Sequence, residues 1–128
     1  IKRAKKRLKA LEVLMREESY ADVVREAQEV VELATKAMLL LVNITPPRIH
    51  DVSRIILEEL WIFPEELRKE IKKILKESKW LRKEREIAFY GDIDFIPGEE
   101  YSKEDAKKAI EIAKDVVELS EKIASLQE

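Results

Sequence analysis

The chain has 128 residues, 45% of them apolar and 41% charged, with two glycines, four prolines and no cysteine. That length can enclose a sizeable core, so few turn formers argue against an all-β protein, and the lack of cysteine excludes disulfides and thiolate metal sites. The 25 basic and 27 acidic residues leave a formal net charge of −2, without the basic excess of a dedicated duplex-binding domain.

A first helix is expected from about Arg3 to Glu17, with Ala4, Leu8, Leu11 and Met15 on one stripe. Ser19 and Asp22 have the spacing of a capping box opening the second helix. Its stripe reads Val23, Ala27, Val30, Ala34, Ala37 and Leu41, widened by Val24, Val31, Met38 and Val42. Arg25, Gln28, Glu29, Glu32 and Lys36 are left for water. From Ala37 to Val42 every residue is apolar, so that segment needs cover on all sides, from the fold or from a second subunit. The run is far too short to span a membrane.

Pro46-Pro47 makes Asn43 to Pro47 a loop. Asp51 or Ser53 then caps a short third helix carrying Val52, Ile55, Ile56, Leu60 and Trp61. Pro64 suits the first turn of a fourth helical stretch, where Glu65 and Glu66 complement the dipole. Running towards Phe89, that stretch has an inner stripe of Leu67, Ile71, Ile74, Ser78, Leu81, Arg85 and Ala88. The two polar members predict a break near Ser78 or an inward Arg85. Phe89 to Tyr101 is irregular and holds both glycines. Ser102 and Asp105 repeat the capping-box pattern before a last helix with Ala106, Ala109, Ile110, Ala113, Val116, Val117 and Ile123 inward. The expected architecture is an all-α, antiparallel up-and-down bundle of four to five main helices, one domain over 1–128.

Ser19-Tyr20-Ala21, then Ala27-Gln28-Glu29, Glu32, Lys36-Ala37 and Met38-Leu39-Leu40, lead into Pro46-Pro47-Arg48-Ile49-His50-Asp51-Val52. With the closing Tyr101-Ser102-Lys103-Glu104-Asp105-Ala106, this order resembles a HEPN domain of the small prokaryotic type over nearly the whole chain. The resemblance implies a helical bundle that often dimerises. It also implies a gene neighbour encoding a small nucleotidyltransferase, the two forming a toxin–antitoxin pair. Active members are metal-independent ribonucleases with an Arg and, a few residues on, a His, often followed by a Tyr. The Arg would hold the scissile phosphate while the His moves protons at the ribose hydroxyl.

In this chain the motif falls at 81–92. Either Arg85 is followed by Tyr90 in the histidine place, or Tyr90 matches the family Tyr and Arg82 the Arg, which leaves Ala88 there. Both alignments lack the imidazole. Tyrosine titrates at about 10 and carries protons poorly at neutral pH. The implied role is therefore binding or regulation rather than autonomous catalysis, with a metal-independent RNase toxin and a purely structural dimerisation module as alternatives.

Arg82, Arg85, Tyr90 and Arg48 are the nucleotide- or RNA-binding candidates, and Arg85, Tyr90 and His50 the catalytic ones. By the resemblance, Tyr90 is also a candidate to accept a nucleotidyl group from the partner enzyme. His50, the sole histidine, is either an acid/base group beside Arg48 or a helix-start residue bonding its own loop. One histidine and no cysteine argue against zinc. Asp92, Asp94, Glu99 and Glu100 fail the EF-hand spacing and read as a solvated acidic loop. Lys2, Arg3, Lys5, Lys6, Arg7 and Lys9 suit a phosphate backbone and the wet face of a helix equally. Trp61, Phe63 and Trp80 read as core or interface aromatics. No cofactor is expected. The expected assembly is a homodimer that pairs with a nucleotidyltransferase subunit and meets nucleotide or RNA. No membrane span or secretory signal is visible, so the expected location is the cytoplasm, with a few residues missing before Ile1. Abundant Lys and Glu resemble heat-adapted composition.

Overall fold

A computed structural model describes residues 1–83 and 101–127. Those residues contain helices and turns and no strand, so the protein is all-α. Helix α1 spans Lys2–Arg16, α2 Tyr20–Leu41, α3 Ser53–Glu58, α4 Arg68–Glu77 and α5 Lys103–Gln127. Two single 3-10 turns, Leu60–Ile62 and Glu65–Leu67, join α3 to α4.

Two helix ends are set by residues the sequence reading passed over. At the end of α2, Asn43 adopts φ 64°, and the Asn43 and Ile44 amides donate back to Leu40 and Leu39 carbonyls. This is a Schellman closure with asparagine in the left-handed position, so the helix stops before the prolines act. At the end of α1, Glu18 takes φ 58°, and the Ser19 amide donates to the Leu14 carbonyl at 3.0 Å. Ser19 is thus the last residue of one motif and the N-cap of α2 at once. Its ψ of 69° departs from the extended value a capping side chain needs, and its hydroxyl makes no cap bond. The expected box with Asp22 is absent for that reason. The second box forms as expected: Ser102 Oγ accepts from the Asp105 amide at 3.1 Å, and Asp105 accepts from the Ser102 amide at 3.0 Å.

The helices alternate in direction. Lys5 of α1 pairs with Glu121 of α5 at 2.8 Å, Glu70 of α4 with Lys122 of α5 at 2.8 Å, and Gln127 Nε2 donates to the Leu41 carbonyl at 3.4 Å. The α2 and α5 C-termini therefore meet, and α1 and α4 run the other way. The most extensive packing is α2 on α5. Both bury alanines, Ala27 and Ala34 on one and Ala106, Ala109 and Ala113 on the other, where small side chains let backbones approach. The core adds Leu11, Met38, Leu39, Ile56, Phe63, Ile71, Leu81 and Ile123.

Gln28, expected in water, is buried, and its Nε2 donates to the Leu81 carbonyl at 3.3 Å. The apolar end of α2 is covered in part: Met38, Leu39 and Val42 are buried, but Leu40 is 58% exposed. Among the aromatics Phe63 is core and Trp80 packs against the core with Lys108 Nζ 4.6 Å from its ring centre. Trp61, expected in a core or interface, is 70% exposed in this chain. No helix among the described residues is long and apolar enough to cross a membrane.

Candidate functional site

The loop between α2 and α3 reaches two partners through adjacent residues. Its backbone tightens at Arg48, where the Ile49 amide donates to the Pro47 carbonyl at 2.9 Å. Arg48 is exposed there and makes no ion pair among the described residues. His50 turns back onto α2, its Nδ1 2.9 Å from Glu32 Oε1, and the imidazole side chain is 41% exposed. Lys36, one turn along α2, donates to Glu32 Oε2 at 3.1 Å. Burial pushes the Glu32 carboxyl up, but the His50 and Lys36 hydrogen bonds and their charges outweigh it, and the group sits below its ordinary value.

Asp51 faces the other way, towards the end of α4. Its Oδ1 accepts from the Ser53 amide at 3.0 Å and from Ser53 Oγ at 2.6 Å, an Asx turn leading into α3, whose N-cap is Val52 rather than the expected Asp51 or Ser53. Its Oδ2 accepts from Arg82 Nη1 at 2.7 Å. Burial raises this carboxyl too, and the two Ser53 bonds and the Arg82 guanidinium bring it below the usual value. Arg82 also donates from Nη1 to Ser53 Oγ, from Nη2 to the Leu75 carbonyl, and from Nε to Ser78 Oγ at 3.1 Å. All three guanidinium nitrogens are engaged, and the side chain is 17% exposed.

Ser78 makes this possible. Its hydroxyl donates to the Leu75 carbonyl at 3.1 Å, diverting an acceptor from the helix ladder as serine does inside helices. Helix α4 ends at Glu77, and residues 79–83 are helical again. The break expected at Ser78 is therefore present, and the serine inside the inner stripe holds Arg82.

The structure thus joins two candidate sets that lie far apart in sequence. Arg82 is tied to Asp51, the residue following His50, so the Arg48–Asp51 loop and the motif-bearing segment meet through one ion pair. Arg85 and Tyr90 lie outside the described residues, as do Ala88 and the acidic loop of Asp92, Asp94, Glu99 and Glu100. Sequence reasoning missed Glu32 and Ser78 as partners. Glu32 has the spacing of an ordinary surface pair with Lys36, and nothing local distinguishes it. Among the described residues no group of three or more His, Cys, Asp or Glu could hold a metal ion.

An imidazole fixed at Nδ1 by a carboxylate and open to solvent is an arrangement able to pass protons. An Arg embedded among a carboxylate, two hydroxyls and a carbonyl orients a loop. The fold and these residues fit one family, and the HEPN domain model matches residues 1–123: the chain belongs to the HEPN family. It is 34% identical over 125 residues to "Putative toxin MJ1304" of Methanocaldococcus jannaschii, covering 93% of this chain and 82% of that one. No solved structure matches it significantly.

Proposed function

We propose that this chain is the HEPN component of a toxin–antitoxin-type module. It acts as a homodimeric binding and regulatory domain, pairing with a small nucleotidyltransferase and meeting nucleotide or RNA, with Arg48, His50, Arg82, Arg85 and Tyr90 as the candidate residues. The observation that carries this reading is the saturated guanidinium of Arg82. A phosphate held there would have to displace the Asp51 carboxylate, so Arg82 serves to position the loop carrying Arg48 and His50. The toxin name of the Methanocaldococcus relative supports the module. The test is co-expression with a small nucleotidyltransferase of the kind the family pairs with, followed by size exclusion with light scattering and intact mass. Co-elution, a dimer mass and a nucleotidyl adduct lost in Tyr90→Phe are expected. A monomer that retains neither partner nor nucleotide ends the proposal.

A second reading, a metal-independent ribonuclease, is favoured by the His50–Glu32 geometry, in which a carboxylate at 2.9 Å steadies a solvent-reachable imidazole. It requires RNA cleavage in EDTA that disappears in His50→Ala or Arg85→Ala. Cleavage that survives both substitutions, or none at all from the unaltered protein, removes it.

A further inference from the structure

Between α3 and α4 lies an open groove of about 550 Å³, bounded by Arg54, Leu57, Lys72, Lys76, Lys79 and Arg82. Its charge is lopsided. Among the described residues Glu58 is the sole acid in the lining, and it is already paired with Arg54 at 2.9 Å. Lys72, Lys76 and Lys79 make no ion pair among the described residues, whereas Lys73 on the adjacent face of α4 pairs with Glu77 and Lys122 of α5 with Glu70. Lys72 and Lys76 stand about one turn apart on α4, and Lys79 opens the helical segment beyond the break at Ser78.

We infer that this lysine row is a track for a chain of phosphates, held by charge and without reading of bases. Lysine meets phosphate as a point charge, in contrast to the two-pronged recognition by arginine. Among the described residues no aromatic side chain lines the groove, so the contact it offers is to the phosphate backbone. The apolar lining is limited to Leu57, Leu75 and lysine stems among the described residues. The track lies beside Ser53 and Arg82, so a strand lying in it passes close to the Asp51–Arg82 pin. The inference rests on the reading that the domain meets RNA, and it assigns the surface that does so.

The experiment is fluorescence anisotropy with a labelled oligo-uridylate in EDTA across a series of NaCl concentrations. Neutralising roughly three phosphates on a single strand gives a log–log salt slope of about −2. Lys72→Gln/Lys76→Gln/Lys79→Gln should weaken binding at least about tenfold at low salt and flatten the slope towards zero. Lys103→Gln/Lys107→Gln, a charge loss on α5, should leave both unchanged. Unlabelled tripolyphosphate should compete, and oligo-glutamate at equal charge should not. No binding by the unaltered protein, an equal loss in the α5 variant, or equal competition by oligo-glutamate overturns the inference. Circular dichroism confirms that the triple variant is folded, and its unchanged co-elution with the nucleotidyltransferase separates loss of this track from failure of the module itself.

Discussion

His50 and Asp51 are neighbours in the chain, and their side chains end in opposite circumstances. Asp51 reaches a partly buried knot in which one carboxylate, two hydroxyls, a carbonyl and a guanidinium satisfy one another. His50 reaches one carboxylate on the outer side of α2 and stays 41% exposed. The Asp51 knot fixes where the loop sits, and the His50 pair leaves a titratable ring within reach of solvent. Polar clusters in one loop thus divide between architecture and chemistry according to how much water each retains.

The largest test of that division is Arg82→Ala. It takes the guanidinium from Asp51 Oδ2 and leaves that carboxylate only its two Ser53 bonds, and a loss of about 2 kcal/mol is expected in urea unfolding, below the full cost of a buried pair because both partners keep some solvent contact. A loss within experimental error would show that the knot does not hold the loop.

Acid should erase the same contribution. The folded Asp51 carboxyl titrates below its unfolded value, so near pH 4 the unfolded chain binds more protons and stability rises with pH there. The contribution is complete above roughly pH 5 and fades as pH falls through about 4 and lower. Glu32 adds a slope of the same sign. In Asp51→Asn the urea midpoint should fall less steeply over this range, and a profile parallel to that of the unaltered protein would refute the pairing.

Smaller still is His50→Ala, expected to cost under about 1 kcal/mol because the imidazole is 41% exposed and Lys36 stays on Glu32. If the ribonuclease reading is right, the same change removes activity with the fold intact, so thermal melting and RNA cleavage should separate cleanly. Arg48→Ala is the smallest, within about 0.5 kcal/mol of the parent, and any effect should appear in nucleotide or RNA affinity alone.

Much of the framework was legible beforehand. The periodicity located α1, α2 and the start of α5 within a residue or two, α4 begins at Arg68 rather than at Pro64, and Ile71, Ile74, Ser78 and Leu81 fall on the buried face as the stripe implied. Gln28 escaped because its stripe neighbours Val24 and Val31 widen the buried face of α2 beyond the a/d positions. The prolines took credit for a helix end that Asn43 makes. Trp61 is outside the core of this chain, since hydrophobicity alone does not place a residue inside.

Alternation of polar and apolar residues at helical period, with scarce glycine, was sufficient to dictate an all-α bundle, since each amphipathic face must find another. Which charged residues meet was decided only in three dimensions. The Asp51–Arg82 pair spans 31 positions and the His50–Glu32 pair 18. No local rule couples residues at such separations, because their approach is fixed by how the helices stack and where the loop crosses them.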